Sequence, residues 1–502
     1  MTPGPVQGLP ELIITVAGRR LPPSEVHPVA SVQVRTVLGQ PAQCVVTWRV
    51  EPGRAVAVAC GEALRVEVGG VREPLFTGEV TVVESSYAAN SAQEVRVRAY
   101  DVLHRLRKRQ ATVLHPDADL AGLARRLCAG TGLSVDGAPL RLGDVYQCAR
   151  TDLDLLHEVC ARAGVHPVVD GDRLRLLGPA GDGDPIPLEL GAGLHSAELE
   201  VSQEPSFRSA AATFWNPDAA TAGVARAGDD RARAAVHADA APAGVGGGGL
   251  LVRADEVLAD PDAAAALAQA ELDARRAGEV VADLVADGDP RLRAGRRVRL
   301  SGVAASLEGV YPVTEAVHRV DGGGYETRVS TRPPPAPPAR PRDRITLGAV
   351  QDVADPQGRG RVRARLEAYP DLVTGWAAVL VAAAGPDKGA VLLPEVGDTV
   401  LVLLPAGDPA QAVVLGGLYG RHRPPDAGAA GSRGGRYTLR TPGGQQVCLD
   451  GHARTLTLTD GRSEVVLGPD LLRITAATDL LLEAPGRAMR VRAARVDFEE
   501  AP

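Results

Sequence analysis

His157, Glu158, Cys160 and His166 stand close together in the chain and offer nitrogen, oxygen and sulfur donors of the kinds zinc takes. Their placement argues against a shared metal. The first three fall on one predicted helix whose apolar stripe is Leu155, Leu156, Val159, Cys160 and Ala163, so the thiol is expected to face a core. His115 with Asp117 and Asp119 sets a base beside two carboxylates, but an apolar helical period begins at Leu120, and the acids suit a helix start better than catalysis. Ser24, Ser134 and Ser463 lack the Gly-x-Ser-x-Gly elbow of a hydrolase nucleophile. The glycines at 246–249 are followed by no Gly-Lys-Ser or Gly-Lys-Thr, which excludes a phosphate loop. The expectation is a chain with no catalytic residue, no metal and no cofactor.

Composition narrows the class further. A chain of 502 residues suggests three or four domains at about 150 residues each. A net charge of −7 and a pI near 5.9 oppose a nucleic-acid binder, which carries a basic footprint. Only Lys108 and Lys388 are lysines among the 55 basic residues, an imbalance that carries no functional conclusion. Six cysteines without a Cys-x-x-Cys pair argue against a disulfide framework. Residues 1–10 contain prolines and no basic-then-apolar signal region, and no stretch approaches the roughly 18 apolar residues of a membrane span. Assembly in the cytoplasm is expected, with any exit from the cell as part of a particle.

The elements that would position these residues are mostly strands. Runs at 12–16, 31–35, 43–48, 64–68 and 94–98 are apolar or alternate as half-buried strands do. A small α/β insertion follows: a helix on Leu120, Leu123, Ala124, Leu127 and Cys128 stopped by Gly130, a second opened by Thr151 and Asp154 and stopped by Gly164, and a hairpin around Asp170-Gly171. Residues 223–249 read as a flexible excursion, Pro261 starts an alanine-rich helix that Gly278 ends, and strands follow at 292–300, 309–314 and 325–329. A proline-rich link at 333–343 precedes five apolar runs at 361–366, 377–381, 390–393, 399–404 and 412–415, enough for an OB-like barrel. After Gly435 short strands recur every eight to ten residues, with Asp450-Gly451 and Asp460-Gly461 as turns. One chain cannot bury both faces of so thin a ribbon, whereas three wound together can.

Several ordered motifs then carry a resemblance. Asp355-Pro-Gln-Gly358-Arg-Gly360-Arg-Val, Leu393-Pro-Glu-Val396-Gly397-Asp398, Gly407-Asp408-Pro and the run through Gly416 to Tyr419 resemble the OB-like barrel of VgrG-like hub and spike proteins, the phage late control D and tail-spike hub group. Leu75-Phe76-Thr-Gly78-Glu-Val80 resembles the hub's "F-x-G-x-V" element, and residues 147–164 resemble a hub helix, with Thr151, Leu155, Val159 and Cys160 in place of the usual Ser, Phe, Leu and Ala. His318 followed by Gly324-Tyr325-Glu-Thr327 resembles its closing "H-x-x-x-x-G-Y-x-T" strands.

The resemblance implies a mainly β fold: hub β-barrel 1 at 1–110, the α/β insertion at 111–195, hub β-barrel 2 at 196–332, the link at 333–343, an OB-fold barrel at 344–422 and a trimeric β-helix or prism needle at 436–502. It implies a non-enzymatic homotrimer that joins a hexameric inner-tube protein and baseplate components to a PAAR-like tip protein, contacts the target membrane only on firing, and works mechanically. Leu456, Leu458, Leu472, Ile474, Leu480 and Leu482 are the expected buried seam of the needle. Trp48, Trp215 and Trp376 are expected in the core or at trimer contacts. Only His452 follows residue 422, so the His-x-His iron site of some phage spikes is not expected. The chain's length and lack of an appended effector favour an extracellular injection or phage-tail-like particle, with a type VI secretion spike as the alternative. A carbohydrate- or nucleic-acid-binding OB protein is the rival from another class. Tyr369, Trp376 and Tyr419 amid balanced charge fit a single-strand groove poorly.

Overall fold

The computed structural model describes residues 10–71, 73–89, 93–137, 140–204, 207–216, 221–227, 237–238, 249–254, 258, 261–334, 343–369, 372–385, 388–426 and 435–499. The chain forms two compact units, Met1–Gly417 and Leu418–Pro502.

The first unit is built on a fifteen-stranded sheet. Strict alternation drives it: in Ala63–Val68, Leu64, Val66 and Val68 are buried while Ala63 and Arg65 are exposed, as the two-residue period of a strand requires. Val29–Val37 pairs antiparallel with Glu315–Asp321, Val32 opposite Val320, so strands almost 300 residues apart in the sequence share one sheet. One apolar cluster gathers Ile14, Val34, Val46, Trp48, Val66 and Val97, and a second gathers Leu194, Leu284, Val298, Leu300 and Tyr311. The Trp48 indole donates to the Glu25 carbonyl at 3.1 Å, which satisfies its one polar atom inside the core. The Phe76 motif is the start of a long strand, Phe76–Ser86. Gly78 lies under the Phe76 ring and against the Tyr100 carbonyl, with no room for a Cβ.

The insertion holds helices Leu120–Leu127 and Asp152–Arg162, capped by the side chains of Asp119 and Thr151. Two long strands absent from the sequence expectation, Gln110–Asp119 and Arg141–Thr151, pair antiparallel through several bulges. His166–Asp170 and Arg173–Leu177 form the expected hairpin. Pro261–Arg276 is the alanine-rich helix. Within the stretch read as a flexible excursion, Thr221–Ala227 is instead a strand paired with Ser209–Asn216, because Gly223 gives room for Phe214 on its partner. Residues 228–236, 239–248 and 335–342, most of that excursion and of the proline link, lie outside the described residues, as does the Trp215 side chain.

The barrel has strand order Arg363–Leu366, Arg344–Asp352, Thr399–Leu404, Val413–Gly417, Ala378–Val379, and a bridge between Val362 and Ala377 links its two ends. Two expectations are corrected. Arg344–Asp352 is a central strand, whereas 390–393 is not a strand: Val391, Leu392 and Leu393 are exposed and unpaired. Tyr146 and Cys148 of the insertion, with Leu114, pack into the barrel's own core, so the two share one apolar cluster.

The second unit contains a five-stranded antiparallel meander: Arg436–Arg440, Gln446–Asp450, Thr455–Thr459, Glu464–Leu467 and Leu472–Thr475. The strand recurrence expected after Gly435 stops at Thr475: the apolar runs at 480–483 and 489–492 carry no strand. Among the described residues no strand beyond Thr475 offers them a hydrogen-bonding partner, and an isolated strand has no ladder to stabilise it.

Candidate functional site

The register of the C-terminal meander places its apolar residues in two straight rows. Leu439, Val447, Leu458, Val465 and Ile474 lie opposite one another across all five strands, and so do Tyr437, Leu449, Leu456, Leu467 and Leu472. These ten side chains share one face. Thr438, Cys448, Thr457, Val466 and Arg473 occupy the other. On that second face Arg436 binds Asp426 at 2.8 Å and Asp450 at 3.2 Å, Thr438 also binds Asp426, and Cys448 is buried beside them. The apolar face has no such cover. Leu472 is 60% exposed and Ile474 53%. Seven of the ten are more than a third exposed; covering them is worth roughly 7 kcal/mol at about 1 kcal/mol each, and a single layer of sheet offers little to cover them with. Among the expected seam residues, Leu456, Leu458, Leu472 and Ile474 belong to these rows. Leu480 lines the groove beside Leu458 and Ile474, while Leu482 lies in a segment without strand structure and is exposed.

The barrel motif residues organise turns. The Asp355 carboxylate accepts from the backbone amides of Gln357, Arg359 and Arg361 and binds the Arg361 guanidinium at 2.8 Å, with both side chains nearly inaccessible. That set of donors, Arg361 first, holds Asp355 far below the usual carboxylate range. Gly358 and Gly360 take positive φ angles that let the loop fold back over this carboxylate. In the next turn, Glu395 N donates to the Asp398 carboxylate, Asp398 N to Glu395 O and Gly397 N to Val350 O, with Gly397 at φ +94° and Val396 exposed. Asp408 accepts from Ala410 N after Gly407, and Gly416 sits where the pairing with Leu401 shifts register.

Residues 346–419 match the family of type VI secretion system/phage-baseplate injector OB domains. The E. coli c3393 protein, a component of the type VI secretion system, is 11% identical with a TM-score of 0.52, over 81% of this chain and 99% of its own. A chain of the Francisella PdpA-VgrG complex is 8% identical with a TM-score of 0.54, over 94% of this chain and 81% of its own. The 43 kDa tail protein of prophage MuSo2 from Shewanella oneidensis is 18% identical with a TM-score of 0.50, over 64% and 98%. No curated protein matches the sequence.

The chain is VgrG-like in fold.

In this VgrG-like frame the closing hub motif has a physical basis. His318 is fully enclosed: Nε2 donates to the Leu292 carbonyl at 2.9 Å, which leaves Nδ1 to accept from the hydroxyls of Tyr325 at 3.0 Å and Thr327 at 3.1 Å. Burial, aided by Arg293, pushes the imidazole down to about 4. Gly288 lies flat under the Tyr325 ring, where a Cβ would fall 2.1 Å from ring carbons. This network was legible as a motif but not as a structure, since its fourth member, Leu292, is distant in sequence.

The residues first weighed for chemistry are mostly dispersed, although His157 and His166 lie near enough to act on each other electrostatically. Glu158 binds Arg150 and Arg162, Cys160 is buried in the insertion core, and burial lowers the affinity of both His157 and His166 for protons. His115 meets Gln147 at 3.3 Å, Asp119 caps a helix, and the Asp117 amide donates to Asp144. Ser134 donates to the Asp172 carbonyl and Ser463 accepts from Ala477 N. Ser24 sits in a short helix, Pro23–Val26. Trp48 is buried and Trp376 half-buried.

Proposed function

We propose that the chain is the homotrimeric hub and spike of a contractile injection particle, extracellular or phage-tail-like, joining a hexameric inner tube and baseplate to a tip protein and piercing the target envelope. The observation that carries this reading is the pair of five-residue apolar rows on one face of the C-terminal meander. Three such faces turned toward one axis would bury thirty apolar side chains, and the resulting prism would be stiff along its length, as puncture demands. Leu456, Leu458, Leu472, Ile474, Leu480 and Leu482 are its seam, with residues 480–492 completing strands once neighbouring copies supply hydrogen-bond partners. The role is mechanical: sheath contraction supplies work and the trimer transmits it to a small area. The hub binds the tube, a PAAR-like protein caps the free end, and no enzymatic step is involved. The similarity to tail and type VI spike folds supports a particle-associated structural protein.

Light scattering on a size-exclusion column tests the reading. The expected mass is about three times the 52.1 kDa of one chain. A monomer at micromolar concentration, with the C-terminal rows open to solvent, would defeat it. Neighbouring genes for sheath, tube and tip proteins are expected, and their absence would count against an injection particle.

A further inference from the structure

One strand of the insertion serves two cores. In Arg141–Thr151 the regular stretch 145–148 sends alternate side chains to opposite faces. Val145 joins Leu106, Leu123 and Leu156 in the core of the insertion, whereas Tyr146 and Cys148 join Val350, Val400 and Val402 in the core of the barrel. Leu114, opposite Tyr146 on the neighbouring strand, packs against the barrel core as well. Gln147, on the Val145 side, is sealed and satisfied: its amide donates to the Arg150 carbonyl and to the Asp152 carboxylate, each at 2.9 Å. The far end of Tyr146 reaches Gly375, its hydroxyl 3.8 Å from where a Cβ would stand. Charges rim this plug. Asp408 of the barrel lies near enough to Arg150 to act on it, Arg150 binds Glu158, and Glu158 binds Arg162 at 2.7 Å.

The opposite side of the insertion is seated on the fifteen-stranded sheet. Gly39 N donates to Pro167 O at 3.1 Å. Val168 and Leu177 close on Gly295, where a Cβ would fall 2.7 Å from Leu177. The covalent route from sheet to barrel runs elsewhere. It leaves the sheet at Arg332, which binds Glu200 and Asp283 at 2.9 Å each, and reaches the barrel at Asp343, which accepts from Ala406 N at 2.8 Å. Sheet and barrel are therefore joined twice, once along the chain and once through packed side chains.

We infer that the insertion is a strut: its side chains hold the barrel on the sheet, and this joint persists when the chain between Arg332 and Asp343 is cut. The functional sense rests on the spike reading, in which a push on the sheet must reach the barrel. Close-packed cores compress little and transmit strain, and a strand that forms a wall of both cores passes that strain directly from one to the other.

The test uses the full chain with a sequence-specific protease site inserted after Ala336. Cleavage is followed on a denaturing gel, and the cut protein is run on a size-exclusion column with light scattering. Both fragments are expected to co-elute at the mass of the uncut protein. Separation of residues 1–336 from the remainder would overturn the strut, and a remainder that then runs as three copies would leave the trimer reading standing. Co-elution at the mass of one chain would support the strut and sink the trimer reading. Tyr146→Ala removes the plug while leaving Val145 in the insertion core, and a thermal melt of the uncut variant checks that it folds. After cutting, its fragments should part on the order of tenfold more readily in a dilution series, as loss of one anchoring side chain implies. Leu114→Ala, at a partly buried position and so gentler on either core, should act in the same direction. Cut variants that hold together as tightly as the cut parent would contradict the joint.

Discussion

The fifteen-stranded sheet of the first unit and the C-terminal sheet are written in the same two-residue alternation, yet one closes its apolar face and the other does not. In the first, Val34, Val46 and Val97 are completely buried by strands and loops of their own chain. In the C-terminal meander the equivalent positions, Leu439, Leu458 and Ile474, stand 41–53% exposed. The fifteen-stranded sheet and the five-stranded barrel each cover an inner face, while the five strands of the meander stay one open layer. Alternation therefore specifies which residues want burial, and whether the strands close round a core decides whether the chain can supply it alone.

The widest separation between the two regions is expected from a charge on the open face. Leu458→Asp or Ile474→Asp would bury one unpartnered carboxylate per copy at the proposed seam, costing several kcal/mol each. The proposed trimer should be lost at micromolar concentration, read by light scattering, while the thermal transition of the first unit stays put. A stable trimer from either variant would remove the seam assignment.

The opposite result is expected from a cavity in the closed region. Trp48→Ala deletes a large core side chain and its hydrogen bond to Glu25 O, and should cost about 3–5 kcal/mol. Denaturant unfolding followed by circular dichroism checks this. The loss should be the same whether or not the copies are associated; a loss that vanishes in the trimer would blur the distinction between self-closed and open sheets.

How much of this was readable beforehand follows the same division. Alternating strands such as Ala63–Val68 and helices with capped, periodic faces such as Asp152–Arg162 declare themselves locally. Gln110–Asp119 and Arg141–Thr151 did not, because their polar side chains and bulges break the alternation that marks a strand. Arg344–Asp352 was hidden by outward Ile345 and Leu347, which blur the inside from the outside, and 390–393 misled for the converse reason: it is apolar without being buried. In the barrel the glycine and aspartate positions were legible from turn chemistry alone. That Asp355 neutralises a nearly buried Arg361 was not, since it depends on a loop folding back on itself.

A pH titration sharpens the comparison from the hub side. His318 is enclosed and held neutral, with its folded value lowered from 6.5 to about 4, whereas His452 of the second unit is exposed. Above pH 6.5 the imidazole is neutral in both folded and unfolded chains and the network is intact. As pH falls from 6.5 toward 4 the unfolded chain takes up a proton that the folded hub resists, so stability declines by roughly 3 kcal/mol in total. Thermal melts across that window should show the hub transition falling, and His318→Gln should flatten this part of the slope. An unchanged slope in the variant would place the acid sensitivity elsewhere.

The smallest effect is expected at the barrel turn of residues 395–398. Gly397 has φ +94°, and a Cβ there would meet nothing within 4 Å, so alanine would suffer only from backbone conformation. That strain is about 1–2 kcal/mol, and the hydrogen bond from residue 397 N to Val350 O is retained if the turn keeps its shape. Gly397→Ala should therefore lower the first unit's midpoint by a few degrees and leave the trimer's mass unchanged. The barrel core of Val350, Val400 and Val402 is closed within one chain, so it can absorb a strained turn without help from neighbours. If instead the proposed trimer dissociates while the barrel melts as before, the turn acts through a surface that meets a neighbouring copy, and the barrel belongs with the C-terminal sheet among the surfaces that a single chain leaves unfinished.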